Sequence, residues 1–412
     1  MDLINAWADA IYTENGEKLL QLLAVDNVDA QQAVFEKLQS RPAWDPAPDC
    51  RSRLRQRLRG ESVWEEVVEA LCCMRVALVQ GNAVAAIGEL MRATGPFNKL
   101  FREDMGTWLV RPMGGFVRAL RDVGAAANVQ AKVPPGKNGY LGEAAAKMNA
   151  LFSSAHQGAG NRDKKMAALD VVIVLFQVYF RLNTLRMCKS LINAVNSPQF
   201  LPFDAFPASQ RVTYRFFVGR LAIFAEDYNE AEEHLTYAFE HCHARAARNK
   251  AAVARFLIPV RMLLGALPAM GLLEAFGLTV YAPFAEAMRT GSVQQLNESL
   301  QANQAAFIHA GTYLLMEKLR QAVCRRLLKR VWLLHRESDP DKAHQLPLVK
   351  FQAALAAQGA EMDIDEVECL VANLIFRGYV KGYLSHRHHV AVLSKNDAFP
   401  ALTAAMLADP NI

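Results

Sequence analysis

The chain has 412 residues, 52% of them hydrophobic and 21% charged, a balance that excludes wholesale disorder and supplies ample material for a core. A formal charge of +5 is mild and permits an acidic partner without demanding one, so the distribution of charge matters more than its sum. Seven cysteines stand at 50, 72, 73, 188, 242, 324 and 369 with no Cys-x-x-Cys pair, which fits small apolar residues in a reducing compartment better than a disulfide framework.

From the amino terminus, "MDLINAWADA" lacks the basic-then-apolar order of a secretory signal, and a cytosolic or nuclear protein is expected. Almost everything up to about residue 335 reads as helix: apolar residues recur at three and four spacing, and breaks fall at Gly/Pro clusters in 41–50, 128–142, 153–163 and 197–210. The pieces between these breaks are the size of one helix or one helix pair, which points to a repeat solenoid rather than a bundle. "RSRLRQRLRG" (51–60) alternates five arginines with other residues. A solvated surface segment accounts for it more simply than a localisation signal or an RNA-contact arm. "PPGKNG" (134–139) has the lysine of a phosphate loop but neither the earlier glycine nor the following Ser/Thr, and is set aside. The most apolar run, Val171 to Phe180, is too short to span a bilayer and predicts a buried helix.

"RVTYRFFVGRLAIFAEDYNEAEEHLTYAFEHCH" places the small residues Gly219, Ala231 and Ala238, with Leu235, at the spacing of a tetratricopeptide unit. Small side chains there let two helices approach closely, and the leucine plugs the gap. Its His241 and His243 would point about 200° apart on a helix and cannot grip one ion.

The last hundred residues change character. "GTYLLMEKLRQAVCRRLLKRVWLLH" predicts a long amphipathic helix, "QLPL" a short strand, and "LVKFQAALAAQ" a second helix ended by Gly359. In "MDIDEVECLVANLIFRG", Asp363 is placed to cap and Glu366 sits three on. Val367, Leu370, Val371, Leu374 and Ile375 form the stripe, closed by Gly378. Val380 and Leu384 then alternate with polar residues, and Val390 and Val392 alternate on the return, as in a hairpin. Three helices followed by a hairpin is the order of a winged helix. The expected architecture is all-α with a small β-hairpin: an α-helical, tetratricopeptide-like solenoid capped by a C-terminal winged helix.

Basic residues mark the candidate surface. Lys318, Arg325, Lys329 and Arg336 make one stripe of the long helix, Arg326 and Arg330 widen it, and no acidic residue lies between Lys318 and Arg336. The stripe reads either as a solvated face or as a phosphate-binding strip continued by Lys381, Arg387, Lys395 and the wing histidines. Asp363, Asp365, Glu366 and Glu368 crowd the first half of the third helix, which disfavours its insertion into a major groove and favours backbone contacts, to RNA for preference. His386 and His388 would share a face if they lay on a strand. A metal contact there lacks a third and fourth ligand at suitable spacing, which leaves a solvated turn or a nucleic-acid contact. No nucleophile motif, metalloprotease motif or paired-carboxylate cluster appears, so no enzyme, cofactor or metal is expected.

"SQRVTYRFFVGR", "AEEHLTYAFEHCH" and "DIDEVECLVANLIFRGYVKGYLSH" resemble the corresponding segments of the PCI family, known from the proteasome lid, the signalosome and a translation initiation factor. "LFQVYFRLNTLRMCKSLINAV", "RNKAAVARFLIPVRMLLG" and "VLSKNDAFP" match too, so the resemblance covers roughly 165–400 and is weak before that. It implies N-terminal helical repeats over 1–205, a helical PCI part over 206–310, a winged-helix part over 311–398 and a tail over 399–412. It also implies a non-catalytic subunit of a nuclear, pore-associated complex that couples transcription to messenger-RNA export. The implied partners are a large PCI-containing scaffold protein and a small acidic disordered subunit of the DSS-one/Sem-one type. The nucleic-acid surface expected on this reading is Lys318, Arg325, Arg326, Lys329, Arg330, Lys381, Arg387, His388 and Lys395. The rival is a purely structural subunit of a lid- or signalosome-type assembly.

Overall fold

The computed structural model describes residues 2–42, 44–58, 62–104, 106–134, 136–158 and 161–402. Packing divides the chain into two compact units, Met1–Tyr214 and Arg215–Ile412.

The first unit is helical throughout its described residues. It contains α1 (Leu3–Tyr12), α2 (Gly16–Leu23), α3 (Val28–Ser40), α4 (Pro46–Leu58), α5 (Ser62–Val79) and α6 (Ala83–Glu103). After these come α7 (Val110–Gln130), α8 (Gly139–Gln157), α9 (Met166–Leu182), α10 (Arg186–Val195) and the start of α11 (Ala208–Phe224). Short polar side chains start several of them: Asp2, Asn15, Asn27 and Asn82 each accept a backbone N–H of the first turn. Each helix from α4 to α8 packs on the one that follows it, as a repeat array requires. The apolar run 171–180 lies in α9, where Val171 to Phe176 are all buried, so the run is a core helix.

Two buried cations close helix ends in this unit. Arg75 is fully buried and donates to the carbonyls of Leu22 and Ala24, both 2.6 Å away, just where α2 runs out of internal donors. Lys164, also fully buried, donates to the carbonyls of Phe101 (2.5 Å) and Asp104 at the end of α6.

The arginine segment is not an extended arm. Residues 51–58 belong to α4, with Arg59 and Gly60 outside the described residues, and Arg51 pairs with Glu69 at 2.8 Å, Arg55 with Glu65 at 3.1 Å and Arg57 with Asp9 at 2.5 Å, while Arg53 pairs with Asp2. The arginines remain solvated, 41 to 71% exposed, so the surface-segment reading describes them.

The second unit contains the rest of α11, then α12 (Tyr228–His241), α13 (Ala247–Leu263), α14 (Met270–Ala275), α15 (Ala282–Thr290) and α16 (Val293–Ala310). The tetratricopeptide spacing has its physical counterpart here. A Cβ on Gly219 would lie 2.8 Å from Leu235 Cγ and 3.3 Å from the Ala231 carbonyl oxygen, so only glycine admits this approach of α11 and α12. Ala231, Leu235 and Ala238 are all fully buried.

The winged helix follows: α17 (Tyr313–Ser338), β1 (Gln345–Pro347), α18 (Leu348–Ala356), α19 (Ile364–Phe376), β2 (Gly382–Ser385) and β3 (Val390–Leu393). Asp363 and Glu366 form the reciprocal capping box that their spacing predicts. Gly359 and Gly378 adopt left-handed backbone at φ 70°, ending α18 and α19. The strands pair antiparallel in the order β1-β3-β2, with Tyr383 opposite Val392 and Leu346 opposite Ala391. One expectation is corrected: Ala391 and Leu393, not Val390 and Val392, form the buried face of the return strand. β3 is the central strand, and its Ala391 pairs with Leu346 of β1, both fully buried, which sets Ala391 and Leu393 on the inward face.

Candidate nucleic-acid and partner interface

α17 is amphipathic at helical spacing. Leu315, Leu319, Ala322, Val323, Leu327, Leu328 and Val331 are buried, which turns the intervening cations outward or sideways. Where each cation goes depends on its neighbours.

Lys318 pairs with Glu226 of the α11–α12 turn. Arg325 is half-buried and donates Nε–H to the Tyr379 carbonyl at 3.0 Å and an Nη–H to the Pro400 carbonyl, so it ties α17 to the wing root and to the segment after β3. Burial, and then the neighbouring Arg326, push its pKa down from the ordinary arginine value. Arg326 donates to the Arg289 carbonyl at 3.0 Å and Arg330 to the Thr290 carbonyl at 2.5 Å, so both close the carboxyl end of α15. Lys329 Nζ stands 5.9 Å from the Phe399 ring centroid, and the Arg336 guanidinium lies 4.9 Å over Trp332.

On the wing, Lys381 pairs loosely with Asp397 at 3.3 Å, both side chains more than half exposed. Arg387, His388 and Lys395 are exposed, with no hydrogen bond or ion pair among the described residues. The stripe is therefore not one surface. Three arginines are spent on backbone carbonyls and Lys318 on a carboxylate, while Lys329, Lys381, Arg387, His388 and Lys395 keep their charge or donors toward solvent.

The hairpin tip brings a further group together. His386–His388 form a 3-10 turn, in keeping with the turn reading of this stretch, so the strand face that a His386–His388 pair would have needed is not formed. His389 closes the turn in left-handed backbone at φ 49°, and residues three apart, His386 and His389, come to one side. Both imidazoles meet Glu368 of α19: His386 Nδ1 is 3.0 Å from each carboxylate oxygen and His389 Nδ1 is 3.4 Å from one. The hydrogen bond that the His386 imidazole donates to Glu368, and then the carboxylate's charge, hold His386 above its ordinary pKa, and His386 and then His389 lower that of Glu368. Sequence spacing concealed Glu368 because it lies 18 residues before His386, on another element. Glu226 and Asp397 were hidden in the same way.

A second surface of this unit is apolar. Phe224, Ile308 and Leu314 are 56, 58 and 69% exposed and line a groove of about 350 Å³ beside the Lys318–Glu226 pair. No helix among the described residues is long and apolar enough to cross a membrane.

Residues 300–395 match the model of the PCI domain, a stretch that runs from α16 to just past β3. The chain is 39% identical to PCI domain-containing protein 2 of Danio rerio over 268 residues, 64% of this chain and 65% of that one. It is 40% identical to the Drosophila melanogaster PCI domain-containing protein 2 homolog over 241 residues, 58% of this chain and 59% of that one. It is 38% identical to enhanced ethylene response protein 5 of Arabidopsis thaliana over 244 residues, 59% of each chain. The chain thus spans less than two thirds of the length of these relatives. Residues 300–395 thus form a winged helix that matches the PCI domain, and over about three fifths of its length the chain is similar, at identity near 39%, to PCI domain-containing protein 2 of vertebrates and fly.

Proposed function

We propose that this protein is a non-catalytic subunit of a multi-subunit assembly. Its winged helix docks beside the PCI domain of a larger scaffold protein and lends a cationic edge to RNA, in the service of messenger-RNA export from the nucleus. On this reading 206–310 is the helical part of the PCI domain, 311–398 the winged-helix part, and a small acidic disordered subunit is a further partner of the helices. The observation that carries the RNA contact is the group of exposed wing cations, Arg387 and Lys395 with Lys381 beside them, left without strong counter-charges. Lys329 joins them as a candidate contact. Lys318, Arg325, Arg326 and Arg330 hold the scaffold that presents them.

The acidic start of α19 supports a backbone-tracking mode rather than groove insertion. Asp363, Asp365 and Glu366 are exposed there, and phosphates brought to that end would be repelled. Contacts from wing and helix to phosphates carry no sequence code, so the expected binding is salt-sensitive and tolerant of sequence.

The test is charge reversal at Lys329, Arg387 and Lys395 in the complex purified with its partners. Affinity for single-stranded RNA should fall by about tenfold or more, and the slope of log K against log salt should flatten by about 0.7 for each phosphate that is no longer neutralised. Affinity and slope that stay put retire the RNA contact and leave the second reading, a purely structural PCI subunit of a lid- or signalosome-type assembly. That reading has its own support, since Arg325, Arg326 and Arg330 already spend donors inside the fold.

A further inference from the structure

The turn at the wing tip builds something that neither RNA contact nor partner docking requires. Glu368 comes from α19, where its carboxylate is 14% exposed, and His386 and His389 reach it from the two ends of the 3-10 turn. One donor atom from each, a carboxylate oxygen and a ring nitrogen of each imidazole, lie within 4.8 Å of one another. Ligands that surround a zinc ion tetrahedrally at about 2.0–2.1 Å stand roughly 3.3 Å apart, and the donor separations here to Glu368 are 3.0 and 3.4 Å. Two imidazoles and one carboxylate are the donor set of an open divalent site, three protein ligands with the remaining position left to water or another molecule. His386 is 80% exposed and His389 44%, so an ion would reach them directly from solvent.

The backbone makes this arrangement specific to these residues. Arg387 and His388 lie between the two ligating histidines yet are turned away and exposed, as the three-residue period of the 3-10 turn dictates. His389 holds a left-handed φ of 49°, a conformation in which His, with Asn and Asp, is enriched among non-glycine residues. The carboxylate that completes the set also has Asp365 near by on α19, which adds negative potential at the same spot.

We propose that Glu368, His386 and His389 form a binding site for a divalent transition-metal ion, zinc in the first instance, which clips the wing tip to α19. An ion of charge +2 replaces two separate hydrogen bonds by three coordinate bonds to one centre and offsets the acidic cluster at that end of the helix. Thiolates are not among the donors, so the chemistry is that of nitrogen and oxygen ligands. The site is independent of whether the wing also touches RNA.

The experiment uses the full chain, freed of metal by chelation and then titrated with zinc by calorimetry and with cobalt by visible absorption. The unaltered protein should bind one zinc per chain at this site, and cobalt should give the d–d bands of nitrogen and oxygen ligation without a thiolate charge-transfer band. Glu368→Gln should weaken zinc by about tenfold or more, as loss of a ligating or orienting group does in such sites. The double variant His386→Gln, His389→Asn should abolish this binding, with asparagine chosen because it tolerates the left-handed backbone. Both variants change surface side chains, and an unaltered far-ultraviolet circular dichroism spectrum and melting temperature in chelator separate lost binding from lost fold. Absence of zinc binding by the unaltered protein overturns the site. So does equal zinc affinity and stoichiometry in the double variant, because the ion then sits elsewhere.

Discussion

α4 and α17 are both rich in arginine, yet the structure uses these side chains in different ways. In α4 the guanidiniums of Arg53 and Arg57 meet the exposed carboxylates of Asp2 and Asp9, while those of Arg51 and Arg55 reach the largely covered Glu69 and Glu65 of α5. In α17 those of Arg325, Arg326 and Arg330 meet backbone carbonyls at the end of α15 and at the root of the wing. The difference lies in what each cation replaces. An exposed carboxylate already has water, so pairing it gains little. A carbonyl in a part-buried corner, such as those of Tyr379 and Pro400, is less open to water, so removing the guanidinium costs more there than at the exposed end of α15. A run of basic residues is therefore not a ligand surface by itself, and the free cations of the wing stand out only once the committed ones are subtracted.

The largest expected effect concerns the approach that makes α17's arginines useful. A Cβ on Gly291 would lie 2.8 Å from Leu327 N and 3.0 Å from its Cα, and the residue has φ 76°. Gly291→Ala should cost about 3 kcal/mol or more, from left-handed backbone plus overpacking against main-chain atoms that cannot swing away. Gly311→Ala is the control: its φ is 72° but nothing lies within 4 Å of the added atom. It should cost only the conformational part, about 1–2 kcal/mol. Urea denaturation of both variants measures the difference. Equal losses would mean that Gly291 and Leu327 stand farther apart than van der Waals contact.

Next comes Arg325→Met, which keeps the aliphatic stem and removes the donors. The Tyr379 and Pro400 residues whose carbonyls it serves are buried, so a loss of about 2–3 kcal/mol is expected, and Arg325→Lys should recover only part of it because one ammonium cannot span both acceptors. Arg326→Gln and Arg330→Gln serve a more exposed helix end and should cost about 0.5–1 kcal/mol each.

How far this was legible in the sequence follows from the same distinction. Local rules read well: the capping box at Asp363 and Glu366, the glycine stops at 359 and 378, and the Gly219–Leu235 contact all depend on residues within one or two elements. The face of β3 was misread because alternating valines look like an inward set, whereas the pairing of β1 with β3 turned Ala391 and Leu393 inward. The fate of the basic stripe was not readable at all. Its acceptors are carbonyls of Arg289 and Thr290, about forty residues away, and the counter-charge of Lys318 sits on Glu226. Acid-free spacing along one helix says nothing about the helix beside it. The part of Glu368 at the wing tip was hidden for a related reason, since it comes from another element and the three-residue period of the turn selects His386 and His389 to meet it.

The smallest effect belongs to α4 and sharpens the contrast from the other side. Arg53→Gln and Arg57→Gln each remove an exposed pair with Asp2 or Asp9. Each should change stability by about 0.5 kcal/mol or less at moderate salt, and the change should shrink as ionic strength rises and screens the unaltered pairs. RNA affinity of the complex should stay level in the double variant, because these guanidiniums are already matched to carboxylates and offer little net positive field. A loss of stability near that of Arg325→Met would make α4's pairs structural in the same sense as the α17 caps. A fall in RNA affinity would move the nucleic-acid surface toward the arginine helix and away from the wing.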